Sequence, residues 1–131
     1  MGGWNGLLFN DYSDYYSNLE SVLKYCIIEK GNEYNLYMDN TSQPKQFEHC
    51  IIRESAGYGI YDNNSFVEMN DIQIENNTGY GLYYNNAHNV GTLENLSFSG
   101  NELDGVVIAG GTIEEDRTWK AYNYYILSSI Y

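Results

Sequence analysis

One apolar triplet recurs four times along this chain, and that recurrence limits its fold more tightly than any local propensity. Leu23-x-x-Cys26-x-Ile28, Phe47-x-x-Cys50-x-Ile52, Met69-x-x-Ile72-x-Ile74 and Leu93-x-x-Leu96-x-Phe98 follow one another at steps of 24, 22 and 24 residues. A second series keeps the same register: Tyr34-Asn35-Leu36-Tyr37, Tyr58-Gly59-Ile60-Tyr61, Tyr80-Gly81-Leu82-Tyr83 and Asp104-Gly105-Val106-Val107. Asn5-Gly6-Leu7-Leu8 is an earlier, more divergent copy. Self-similarity at such a period is the mark of a solenoid or array.

Within each copy the apolar residues alternate, as in Cys26/Ile28 and Ile72/Ile74, the period of a strand with one buried face. Between the strands lie segments such as Asp62-Asn63-Asn64-Ser65, Asn76-Asn77-Thr78-Gly79 and Tyr84-Asn85-Asn86, whose composition suits tight turns with left-handed backbone angles. A unit of this size cannot bury its own apolar face, but stacked units can. With parallel strands about 4.8 Å apart, equivalent residues lie directly above one another and fill a continuous interior. The expected fold is therefore all-β, a parallel β-helix of about four to five coils. A leucine-rich-repeat horseshoe would need Leu-x-x-Leu-x-Leu-x-x-Asn, which no copy has.

Length and charge narrow the function classes. The 131 residues make one domain, and 18 acidic against 6 basic side chains leave a net charge of −12. Direct nucleic-acid binding is not expected, because a phosphate backbone needs Lys and Arg to displace its counterions. An acidic rod could instead mimic nucleic acid and occupy the groove of a DNA-binding protein. A hydrophobic fraction of 43% with 15 Tyr argues against a disordered chain, and 17 Asn beside 13 Gly argue against a helical bundle. The longest apolar runs, such as Val106 to Ala109 and Tyr124 to Leu127, are too short to span a bilayer. Met1-Gly2-Gly3-Trp4 lacks the basic and apolar segments of a signal peptide, so any export signal of a parent protein is expected outside this chain.

The opening Trp4-Asn5-Gly6-Leu7-Leu8-Phe9, the segment Leu23-Lys24-Tyr25-Cys26-Ile27-Ile28-Glu29 and the Gly-Tyr-Gly-Ile/Leu-Tyr turns resemble the right-handed β-helix repeats of the pectin-lyase-like superfamily, especially those of large exported bacterial proteins. The resemblance covers about residues 3 to 112. It implies a right-handed coil and a secreted or cell-surface location. It also divides the chain into coils over 1–112 and a C-terminal strand or strap over 113–131. Gly111-Thr112-Ile113 through Thr118-Trp119 and Tyr124-Tyr125-Ile126 look like the lead-in to a further block, so the chain is expected to be a slice of a longer solenoid with incompletely capped ends. An uncapped coil exposes unpaired backbone groups, a template for a second copy. The segment 119–131 has strand propensity and no evident coil to stack on, which predicts a lid or a strand exchanged in a homodimer.

The ladders supply the candidate sites. Tyr37, Tyr61 and Tyr83 form one outward stack, and Tyr34, Tyr58 and Tyr80 a second, three residues earlier. Such stacks can meet the apolar faces of sugars or another protein, or simply stabilise adjacent rungs. Asn40, Asn64 and Asn86 make a turn ladder of amides. Glu29, Arg53 and Glu75 line up with alternating sign, as a solvated salt ladder would. Cys26 and Cys50 share an inward rung position. Neighbouring strands put their α-carbons within bridging range, while parallel side-chain vectors favour two small buried hydrophobes.

Members of the resembled superfamily include enzymes that cleave or epimerise acidic polysaccharides, which need carboxylates for Ca²⁺ or acid/base work and a basic residue near the sugar carboxylate. His49 above Asp71, with Arg53 and Glu75 on the same face, is the weak catalytic candidate. The Gly-x-Asp-Asp, His-Gly and Arg-x-Lys patterns of polygalacturonases are absent, as are the Arg-rich segments of pectate lyases. Glu114-Glu115-Asp116 has no partner at a glycosidase separation. No metal motif or cofactor is indicated, although Glu102 and Asp104 could hold Ca²⁺ loosely. The residues thus point first to a non-catalytic structural or adhesive module presenting Tyr and Asn ladders to a glycan or protein. A carbohydrate-active domain or its remnant is the alternative.

Overall fold

The computed structural model describes residues 3–10, 21–41 and 45–131. Its described residues form two parallel sheets and no α-helix. The first contains β2 (Ser21–Lys24), β3 (Ile27–Glu29), β5 (Lys45–Arg53), β7 (Val67–Glu75) and β9 (Leu93–Ser99), with both β2 and β3 pairing with β5. The second runs in the order β1 (Leu7–Asn10), β4 (Tyr34–Asp39), β6 (Tyr58–Asn63), β8 (Leu82–Tyr84), β10 (Val106–Ile108), β11 (Tyr124–Ile126). Each coil places one strand stretch in each sheet, and every pairing is parallel, as a β-helix requires.

The vertical register follows the repeat. Leu23 pairs with Phe47, Phe47 with Met69 and Met69 with Leu93, while Leu36, Ile60, Leu82 and Val106 stack in the other sheet. Phe47, Met69, Ile52, Ile74, Ile60 and Leu82 are buried, so the alternating apolar positions fill the interior as the pattern demands. The divergent first copy joins with a longer step, Leu7 on Leu36 and Leu8 on Tyr37.

The triplet's two-residue gap has a local cause. Tyr25, His49, Asp71 and Asn95 take positive φ values of 55°, 54°, 56° and 52°. A left-handed residue turns the strand, so two successive side chains point outward before the apolar alternation resumes. Because every rung makes the same turn, Cys50 still meets Ile72 and Ile72 still meets Leu96. A second left-handed ladder, Lys30, Glu54, Asn76 and Gly100, bends the chain between the sheets.

Behind that second bend runs a buried amide ladder. The Asn77 side chain donates to the Ile52 carbonyl (3.3 Å) and to Asn101 Oδ1 (2.8 Å), and its own Oδ1 accepts from Ser55 N (3.1 Å) and Asn35 Nδ2 (3.3 Å). Asn101 repeats the pattern one rung on by donating to the Ile74 carbonyl at 2.8 Å. Space for these amides comes from the facing glycines: a Cβ on Gly59 would lie 2.8 Å from Asn77 Nδ2, and one on Gly81 2.9 Å from Asn101 Cγ. In the first of these rungs the roles are exchanged, with Gly31 on the Asn77 side and Asn35 supplying the amide from the Gly59 side.

The C-terminal segment departs from expectation. Tyr124–Ile126 stacks on Val106–Ile108 as the last strand of the second sheet, and Gly111 bridges to Ile130, so this segment does have a coil to rest on. The first sheet ends one strand sooner, at β9, and side chains from the crossing segment reach its edge. Tyr122 Oη accepts from Leu96 N (3.2 Å) and donates to Leu93 O (3.5 Å), and Arg117 Nη1 donates to Val90 O (3.1 Å). These bonds satisfy edge groups that an uncapped coil would leave to solvent or to another chain.

Candidate functional site

The six tyrosines named from the sequence form one patch. Tyr37, Tyr61 and Tyr83 point outward from β4, β6 and β8 in direct register, with ring centroids 4.8 Å apart at both steps. The second stack leans onto the first: Tyr34 lies 5.1 Å from Tyr37, Tyr58 4.9 Å from Tyr61, and Tyr80 5.9 Å from Tyr83. A diagonal contact of 5.3 Å joins Tyr58 to Tyr83. Two expected stacks are thus one contiguous aromatic surface, with every ring half-buried by its neighbours. Exposed Leu8 extends it on the rung below Tyr37.

Partial burial raises the phenols of Tyr34, Tyr37, Tyr58, Tyr61 and Tyr83 above the usual tyrosine range. Nearby carboxylates add to the shift: Glu33 at Tyr34, Asp39 at Tyr37 and Tyr61, and Glu102 at Tyr58. The hydroxyls are therefore neutral hydrogen-bonding groups at physiological pH. Among the described residues, no Lys or Arg occurs in any strand of this second sheet.

A polar ladder borders the patch. Asn85 Nδ2 donates to Asn63 Oδ1 at 2.8 Å, and Asn63 Nδ2 donates to Asp39 Oδ1 at 2.9 Å. The same periodicity could have revealed it, since Asp39, Asn63 and Asn85 obey the steps of 24 and 22, one position before the amides singled out from sequence. Of those, Asn64 does bond to Asn40 at 3.2 Å, but Asn86 leaves the ladder to cap the short 3-10 turn Ala87–Asn89 through His88 N.

On the other sheet, His49 Nδ1 and Asp71 Oδ2 are 2.7 Å apart, as the register predicts. Tyr25 stacks on the imidazole at 4.8 Å and 10°, a partner the sequence reading missed although it obeys the same step. All three are left-handed corner residues, held outward and exposed. A carboxylate on Nδ1 orients the ring and leaves Nε2 as its outer nitrogen. The group stands on open surface, away from the cleft of about 410 Å³ between the start of β9 and Arg117, Trp119 and Lys120. Arg53 meets Glu29 at 2.6 Å, and that hydrogen bond holds the Glu29 carboxyl below its ordinary range.

Cys26 and Cys50 are free thiols. Cys50 Sγ lies 3.2 Å from the Glu48 carbonyl, and burial raises its pKa. Among the described residues no group of three or more His, Cys, Asp or Glu is arranged to hold a metal ion. Asp104 accepts from the backbone of Asn101 (2.9 Å) and Gly100 (3.2 Å), a turn-building role.

A family described as right handed beta helix region matches residues 6–118. No curated protein and no solved structure matches the chain. The repeat register, the all-parallel sheets and a match over most of the sequence agree, and the chain belongs to the right-handed β-helix family.

Proposed function

We propose that this chain is a non-catalytic structural and adhesive module of an exported or cell-surface protein, and that its tyrosine face contacts a glycan or another protein. One observation carries the reading: six tyrosines on three successive rungs merge into a single half-buried surface edged by a hydrogen-bonded Asp39–Asn63–Asn85 ladder. Tyr rings combine an apolar body with a polar tip, the combination that sugar faces and protein hot spots both use. The stacked coils supply the rigidity. The rungs that carry the tyrosines are tied to one another by backbone bonds along two sheets, so a partner meets a surface already ordered, at low entropic cost.

The test is a titration of the intact chain with neutral and charged oligosaccharides, followed by tyrosine fluorescence, beside the Tyr61→Ala variant. Saturable binding that the variant loses supports the reading. A flat response to every sugar, together with no protein captured on the face by cross-linking in its native extract, sinks it. The alternative of a carbohydrate-active domain is favoured by the 2.7 Å contact between His49 and Asp71. Product release from a polysaccharide that disappears in His49→Ala would establish that alternative.

A further inference from the structure

We infer that the ligand of the tyrosine face is a linear amino-sugar polymer, its pyranose rings laid along the helix axis and its ammonium groups set against the tyrosines and their bordering carboxylates. This rests on the glycan form of the reading above and narrows it to one chemical class.

The first argument is charge. The six cations of the chain lie elsewhere: Lys24, Lys45 and Arg53 on strands of the first sheet, Lys30 in the bend after β3, and Arg117 and Lys120 in the C-terminal segment. Among the described residues, Glu33, Asp39 and Glu102 instead act electrostatically on these tyrosines, and Asp39 belongs to the hydrogen-bonded ladder that borders them. Aromatic faces are themselves electronegative. An anionic polysaccharide would meet repulsion from the rings, their neighbours and a net charge of −12, whereas an ammonium group is attracted by all three.

The second argument is period. Rungs repeat every ~4.8 Å along the axis, and a pyranose ring is about one rung wide, so successive sugars would meet successive tyrosine pairs, 34/37, 58/61 and 80/83. An extended peptide places same-side residues roughly 6.8 Å apart, twice its ~3.4 Å rise, and falls out of step within two rungs. A basic peptide therefore fits the charge but not the spacing. The third argument is polar complementarity. Asp39, Asn63 and Asn85 offer donors and acceptors at the same period beside the rings, suited to the hydroxyls of each sugar.

Calorimetric titration of the full chain with a glucosamine hexamer, an N-acetylglucosamine hexamer, a cellulose hexamer and hexalysine tests this, below the amine pKa and at low and high salt. Tighter binding of the glucosamine hexamer is expected, by about tenfold over its acetylated and neutral counterparts if two ammonium groups sit over these half-buried rings. That advantage should shrink in high salt and in Glu102→Gln, a change at an exposed residue. Equal binding of all three sugars would overturn the amino-sugar assignment and leave the glycan reading standing. Binding of none would remove both. Hexalysine binding as tightly as the glucosamine hexamer, with the same loss in Tyr61→Ala, would show that the face selects charge without a sugar ring and would also overturn the assignment.

Discussion

Replacing Asp62 with asparagine should abolish a pH dependence of stability that the wild-type fold builds into its interior. Asp62 points inward from β6, in the stack Met38, Asp62, Tyr84, Ile108, and is fully buried. Its Oδ1 accepts from Ser65 N at 2.9 Å, while Oδ2 has no partner. Burial pushes its carboxyl up to about 8, with the Ser65 bond acting weakly the other way. In the unfolded chain an Asp titrates near ~3.9. The folded protein therefore keeps a proton that the unfolded chain has released. The contribution of neutral Asp62 is fully present below about pH 4 and is lost as pH rises toward about 8. Four pH units at ~1.4 kcal/mol each make roughly 6 kcal/mol, a large share of a domain's ~5–15 kcal/mol. The substituted amide keeps the Oδ1 acceptor and never ionises. Urea unfolding of both proteins at matched pH values measures the difference directly, because the remaining carboxylates cancel between them. The stability of Asp62→Asn relative to wild type should rise by about 1.4 kcal/mol per unit up to about pH 8 and then level off. Parallel curves would show that Asp62 ionises as a solvated carboxyl does, and would refute its placement in the core stack.

The buried amide ladder should be equally sensitive. Asn77→Ala strands Ser55 N–H and removes the amide's bond to the Ile52 carbonyl, a loss of about 2 kcal/mol or more measurable by chemical denaturation. Tyr122→Phe removes the hydroxyl bridging Leu96 N and Leu93 O, so amide exchange at Leu96 should accelerate sharply while global stability falls by only ~1–2 kcal/mol. Both cysteines should react as thiols once the protein is unfolded, whereas in the folded state half-buried Cys26 should be labelled before Cys50, which is 2% exposed and raised in pKa by burial. Absence of reactive thiols after unfolding without reductant would mean that the two are bridged.

The sequence revealed what repeats and obscured what does not. The apolar triplets and the tyrosine pairs recur at a fixed step, so a reader of residues alone can place Phe47 on Met69 and Tyr61 on Tyr83, and the structure agrees. The His49–Asp71 contact was legible for the same reason. Asp62 and Tyr84 were not, because Asp62-Asn63-Asn64-Ser65 and Tyr84-Asn85-Asn86 have the composition of turns, yet Asp62 and Tyr84 belong to strands and face inward. Local polarity argued for a loop, and the register of the neighbouring rungs overrode it. The Asn35–Asn77–Asn101 ladder was hidden because the first amide comes from the opposite side of the bend, breaking the sequence step while preserving the spatial one. The stacking of Tyr124–Ile126 on β10 was missed because its step is 18 residues, shorter than any earlier coil.

Cross-rung proton contacts in solution test the central claim most directly. Nuclear Overhauser effects linking the backbone and side chains of Ile52 to Ile74, and of Ile74 to Phe98, are expected from the parallel register, with matching effects from Tyr37 to Tyr61 to Tyr83. A pattern that instead joins β5 to β6, or β7 to β8, as antiparallel neighbours would contradict the β-helix and with it the continuous tyrosine face.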